Sequence, residues 1–265
     1  MRINMDFQQR VVIETETQDW IDSPANGVQR RMLDREAAES GRATTVVRFA
    51  PDSFFPPHTH TGGEEYLVLD GTFSDESGDY GQGMYVRNPI GSTHRPHTEG
   101  GCTILVKLCQ MDAADQENVH IDTTKADGWR AGAAEGISVR DLHTYGTERV
   151  SLSRWQPGTR YEAHGHPGGE EILVLDGSLA DEHGHYPKGT WLRMPPGSHH
   201  APFSDEGCTL YVKTGHLAGG EQAREREPDE KNIPQGSKQD GLQDPNSSRR
   251  LNRFQDALNP LAGIP

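Results

Sequence analysis

Short apolar or β-branched runs, each cut off after a few residues by Gly, Pro or Asp, recur along the first four-fifths of the chain. Arg10-Val-Val-Ile13, Ala43-Thr-Thr-Val-Val-Arg-Phe49 and Arg149-Val-Ser-Leu-Ser-Arg-Trp155 read as strands by their β-branched content. Glu65-Tyr-Leu-Val-Leu-Asp-Gly71 and Glu171-Ile-Leu-Val-Leu-Asp-Gly177 are apolar runs ended by Gly, the pattern of strands buried on both faces. No long 3.6-residue period appears between 43 and 216, so the core is predicted to be nearly all β.

The pattern is written twice. At an offset of 106, residues 58–107 and 164–213 are identical at 27 of 50 positions, with the matches concentrated in Gly, Pro, His, Glu and Asp. Such self-similarity marks a repeated structural unit. Upstream the offset becomes 109, with Gly27, Arg31 and Leu33 answering Gly136, Arg140 and Leu142. The first copy therefore carries about three extra residues, most simply in a hairpin turn within 34–45. The repeat divides the chain into units at 1–111 and 112–217. Beyond Leu217 the text turns polar and charge-balanced, which cannot bury enough surface to fold alone, so 218–265 is expected to be a disordered tail that can be deleted without loss of the fold. Within it Leu251, Phe254 and Leu258 have the spacing of one short docked helix.

Composition narrows the function. With 26 Lys and Arg against 40 Asp and Glu, the formal charge is −14, which argues against a nucleic-acid partner because phosphate binding needs a clustered basic face. No apolar run approaches the length of a membrane span and the N-terminus has no signal-peptide core, so no membrane association and a cytoplasmic location are expected. Three cysteines do not make a disulfide framework. Cys102 and Cys208 occupy matching places in the repeats, either as small buried hydrophobes or as thiols close enough to a metal to sense oxidants.

The candidate chemistry lies in His58-Thr-His60-Thr-Gly-Gly-Glu64 with His94, and in His164-Gly-His166-Pro-Gly-Gly-Glu170 with His200. Histidines at i and i+2 of a strand point the same way and can grip one ion. The Gly pair reverses the chain, which returns carrying Glu64 and Glu65, and alternation alone leaves the choice between them even. His94 and His200 arrive from turns written Pro89-Ile-Gly91 and Pro195-Pro-Gly197. Three neutral imidazoles and one carboxylate suit a divalent first-row metal without choosing among Zn, Fe, Mn, Ni and Cu.

These spacings resemble the cupin superfamily. Its pattern G-x(5)-H-x-H-x(3)-E-x(6)-G fits Gly158, His164, His166, Glu170 and Gly177 throughout, and fits His58, His60, Glu64 and Gly71, with Asp52 in place of the leading Gly. Its second pattern, G-x(5)-P-x-G-x(2)-H-x(3)-N, fits Gly83, Pro89, Gly91 and His94, and Gly189, Pro195, Gly197 and His200, with Thr98 and Ser204 replacing the closing Asn. The family spacing selects Glu64 over Glu65. The strings from Gly62 to Tyr80 and from Tyr85 to His94 look like the cupin domain of ChrR-type anti-sigma factors. That resemblance implies two tandem antiparallel β-barrels of the jelly-roll (double-stranded β-helix) type, a bicupin. It also implies zinc on His58, His60, Glu64 and His94 and on His164, His166, Glu170 and His200, two metals per chain. ChrR proteins grip a sigma factor through a helical domain with an H-x(3)-C-x(2)-C pattern. No Cys precedes Cys102 here, so a sigma-factor partner is not expected.

Two functions follow. One is a zinc bicupin that binds a small ligand or regulates the response to oxidants; the other is an Fe- or Mn-dependent dioxygenase acting on a small enol, diketone or aromatic substrate. Catalytic residues are not assigned, and homo-oligomers are left open. If the ligands face inward, Tyr66 and Val68 flank the first metal and Ile172 and Val174 the second. Contrasts at Phe73 and Leu179, Tyr85 and Trp191, and His97 and Phe203 make the first pocket the more polar, and any chemistry is expected there. Arg87 and Arg193 are candidate holders of an anionic ligand.

Overall fold

The computed structural model describes residues 2–217; the tail 218–265 and its candidate helix lie outside the described residues. Among the described residues there is no α-helix, and the strands form two ten-stranded sheets and two short ladders. In the first barrel the main sheet runs, strand by strand, Met84–Asn88, Glu64–Asp75, Cys102–Leu108, Ala43–Phe49, Val28–Arg35, Ile21–Asp22. The second repeats it as Thr190–Met194, Glu170–Asp181, Cys208–Thr214, Glu148–Trp155, Ile137–Tyr145, Trp129–Ala131. All the pairings are antiparallel, as in a jelly roll.

The strand expected to end at Gly71 does not stop there. It continues to Asp75, as its counterpart continues past Gly177 to Asp181, and each shifts register just before the glycine. Both glycines have positive φ, and a Cβ at Gly71 would stand 2.2 Å from Gly101 O. Here Gly is a bend within one long strand, which carries the chain from the main sheet to the opposite wall. The extra length of the first copy falls in the connection 36–42 between Val28–Arg35 and Ala43–Phe49; the second copy makes the same connection with Gly146 and Thr147 alone.

The lead strands are exchanged. Val11–Glu14, ahead of the first copy, pairs with Thr190–Met194 of the second barrel, and Val119–Asp122, ahead of the second copy, pairs with Met84–Asn88 of the first. The seams match in detail, since Thr15 donates its N–H to Gly189 O at 3.0 Å and Thr123 donates to Gly83 O at 3.0 Å. The sequence divisions at 1–111 and 112–217 therefore follow the repeat in the text, while each barrel borrows one strand across the division.

Strand alternation sorts the apolar residues into three cores. Tyr66, Val68, Val86 and Ile104 pack inside the first barrel, and Ile172, Val174, Leu192 and Leu210 inside the second. Leu67, Leu105, Leu173 and Tyr211 point outward into a third core that joins the barrels and includes Val119. Tyr85 and Trp191, read above as flanking the metal pockets, belong to this joining core because they alternate with the inward Val86 and Leu192. His97 is exposed at the barrel surface.

Candidate metal centres

His58–Thr59 pairs antiparallel with Thr93–His94, so His58 and His94 stand directly opposite each other, and His60 follows at the next inward position. Glu64 begins the long strand. His58, His60, Glu64 and His94 each offer a ligand atom, and these all lie within 4.8 Å of one another. Glu64 Oε2 is 3.4 Å from His60 Nε2 and 3.5 Å from His94 Nε2.

The ring orientations leave Nε2 for the ion. His58 Nδ1 is 2.9 Å from Pro56 O, His60 Nδ1 2.9 Å from Ser92 Oγ, and His94 Nδ1 3.2 Å from Asp75 Oδ2. A partner on Nδ1 fixes the ring and points the other nitrogen at the metal. His94 Nε2 is buried with no hydrogen-bond partner, the state expected of a donor shaped for a cation. Asn88 donates from Nδ2 to Glu64 Oε2 at 3.1 Å and holds the carboxylate in place.

The second centre departs from the first. His164, His166 and His200 lie within the same 4.8 Å limit, but Glu170 falls outside that set. Its Oε2 sits 3.4 Å from His166 Nε2 and 3.6 Å from His200 Nε2, buried and without a hydrogen bond. Position 194 explains this: Met stands where the first barrel has Asn88, so nothing orients the acid. Burial, aided by Asp181, pushes Glu170 up to about 8. Burial also lowers His60 and His200, and takes His166 down to about 3. Neutral imidazoles are the ligating form, so both pockets fit a divalent cation, the first with four donors and the second with three histidines and a nearby acid. Asp181 orients His200 through Oδ2 at 3.3 Å, as Asp75 does His94.

Glu65 and Glu171 point the other way. Glu65 pairs in register with Arg87 while Glu64 pairs with Asn88, so the arginine shares the outward face of Glu65. Arg87 is 1% exposed and bonded to Glu65, Asp115 and Glu148; Arg193 is 0% exposed, 3.5 Å from Asp34 and 4.6 Å above the Phe7 ring. The expectation that Arg87 and Arg193 hold an anion in the metal pockets is corrected: both are structural cations on the outward face of the sheets. Tyr66 does lie inside, its ring 4.9 Å from Phe73, and burial and then Glu64 push its unpartnered hydroxyl up. Cys102 and Cys208 are buried, and burial raises both thiols to about 11, so they pack as apolar residues rather than as reactive thiolates.

Of the supporting residues, Asn88, Asp75 and Asp181 are absent from the sequence reading. The two aspartates had a signal, since they repeat at the same offset as the ligands.

The ChrR Cupin-like domain model matches residues 8–112 and again 116–218. The chain belongs to the ChrR cupin-like family. No curated protein matches it by sequence. Solved structures share the bicupin fold at low identity. A "putative dioxygenase" from Nostoc punctiforme superposes with a TM-score of 0.66 at 18% identity, covering 80% of this chain and 84% of that one. The Ylba protein of Escherichia coli gives 0.62 at 14%, covering 79% and 92%. Oxalate decarboxylase of Bacillus subtilis, a protein with Mn(II) centres, gives 0.52 at 15%, covering 78% and 77%.

Proposed function

We propose that this bicupin holds a zinc ion in each barrel and binds a small organic molecule in the first. The observation that carries this reading is a cavity of about 560 Å³ whose lining includes His58, His60 and Glu64; the corresponding space in the second barrel is about 160 Å³. The lining is mostly apolar, with Val47, Phe49, Phe55, Phe73, Ile104 and Val106 around the metal ligands. In the second barrel Trp155 replaces Phe49, and Tyr161 stacks on His164 at 4.1 Å, so these two rings take up part of the space even though Leu179 stands in place of Phe73.

His58, His60, Glu64 and His94 would hold the ion, which would supply a Lewis acid beside the cavity. The chain's own part is to orient and exclude. Asp75 and Ser92 fix two imidazole rings, Asn88 steadies Glu64, and the apolar wall removes water from a bound molecule.

A second reading, a dioxygenase using Fe or Mn, is favoured by the same open approach to a three-histidine, one-carboxylate set. Metal identity separates the two, because zinc cannot activate O2 by redox. Elemental analysis of protein from unsupplemented cells, followed by O2-uptake measurements with that metal in place, is the test. Zinc with no O2 uptake supports ligand binding; Fe or Mn with substrate-dependent uptake replaces it with the oxygenase.

A further inference from the structure

The first cavity has arginines in its lining, and the second has none. Arg30 and Arg35 both line the first cavity, on the strand Val28–Arg35. At the offset of 109 their counterparts are Val139 and Thr144. Strand pairing confirms the equivalence: Arg30 faces Val47 as Val139 faces Ser153, and Arg35 faces Ala43 as Thr144 faces Arg149.

The arginines are held by the segment that the second barrel lacks. In the long connection 36–42, Glu39 reaches back over the mouth and receives two parallel bonds from Arg30, Nη1 to Oε2 at 3.1 Å and Nη2 to Oε1 at 3.0 Å. Arg35 Nη2 lies 3.9 Å from the same carboxylate, while Arg35 donates from Nε to Ala37 O at 2.9 Å and to Ala38 O at 2.8 Å, which pins the connection to the strand. The Arg30 and Arg35 side chains are 12% and 7% exposed, whereas that of Glu39 is 54% exposed. Two further polar atoms lie buried and unpartnered in residues lining this cavity, Arg30 Nε and Thr45 Oγ1.

Such a fork is shaped for a carboxylate. A half-exposed ion pair contributes little stability, so exchanging Glu39 for another carboxylate costs little. An incoming molecule with an apolar body gains the burial of that body as well. We propose that the first barrel binds a small organic carboxylate with an apolar body, anchored at the mouth by the Arg30 fork in the place that Glu39 takes, with the charge of Arg35 beside it and the body against the apolar wall next to the metal ligands. Glu39 is then a built-in competitor, and the second barrel has no equivalent site. This inference rests on the small-molecule reading above and adds the class of molecule.

The test is calorimetric titration of the metal-loaded full chain with phenylacetate, phenylpropionate and phenylbutyrate and with the primary amide of each. At least one acid is expected to bind one per chain, with its amide weaker by about tenfold. Arg30→Gln should weaken the acid by about tenfold and leave both metals in place. Glu39→Gln should tighten the acid without changing the amide, and guards against an Arg30 variant that fails to fold. His164→Ala, which should remove only the second ion, is expected to leave acid binding in the first barrel unchanged. The inference is overturned if no acid binds, if acid and amide bind alike, or if Glu39→Gln does not tighten the acid. Metal retained without acid binding overturns this inference alone, whereas a protein that takes up no metal overturns the reading beneath it.

Discussion

Asn88 and Met194 hold the same place in the two barrels, and the difference decides whether the acid beside the histidines is oriented. Exchanging them should exchange the behaviour. Asn88→Met is expected to weaken metal binding in the first barrel by about 10- to 100-fold, the usual cost of losing a residue that orients a ligand. Met194→Asn should strengthen the second site by giving Glu170 a donor; competition titrations with a chromogenic chelator read both. At the same scale, His58→Ala and His164→Ala should each lower metal content from two per chain to one by elemental analysis, since the clusters share no ligand. Unchanged content in both variants would remove the metal reading. Alternation made the paired histidines legible, the repeat added His94 and His200, and the resemblance to the cupin pattern, not the period of two, chose Glu64 and Glu170. The arginines were misplaced for want of the same information: only the pairing of Glu64 with Asn88 shows that Arg87 has outward parity. Arg30 and Arg35 left no trace in the repeat, because the second copy does not preserve them.

At the scale of elements, the strands themselves were read from β-branched runs, but their partners were not. Val11–Glu14 looks from its place in the chain like the edge of the first barrel, and nothing in four residues names the sheet they join. Pairing across more than 170 residues is set by the joining core, against which Val11 and Ile13 pack. Removing residues 2–18 should therefore injure the second site. In a His58→Ala background, where only the second barrel holds metal, truncation is expected to reduce metal content further; a truncated protein that keeps a full ion would contradict the strand exchange. Gly71 and Gly177 were legible as breaks and were misread as ends. Gly177→Ala should destabilise the protein by about 3 kcal/mol in denaturant unfolding, from positive φ and from a Cβ placed 2.0 Å from Gly207 O.

Across the whole molecule, buried charge ties the barrels together reciprocally. Lys213 of the second barrel reaches Glu65 at 3.0 Å, and Lys107 of the first is bonded to Glu171. Lys213→Met should destabilise the protein by about 3 kcal/mol because it leaves part of a buried carboxylate's charge unmatched. The same layer fixes an acid limit. Lys213 and Arg87 outweigh burial and hold Glu65 down to about 2, and Arg87 with His143 keeps Asp115 below its ordinary value. Carboxylates with depressed values contribute stability that is complete above their unfolded-state range, about pH 4, and is lost as the pH falls through the folded values. The thermal unfolding midpoint should therefore fall between about pH 4 and pH 2, and less steeply in Asp115→Asn.

The traded lead strands bear on how such a chain can be divided. A half-length polypeptide carrying one copy would hold a ribbon with no seat of its own, and could finish its wall only by lending that ribbon to a twin and taking the twin's in return. The protein is in that sense a pair of interlocked partners spliced end to end. Once spliced, the partners no longer have to match: one can keep a roomy interior while its companion fills in.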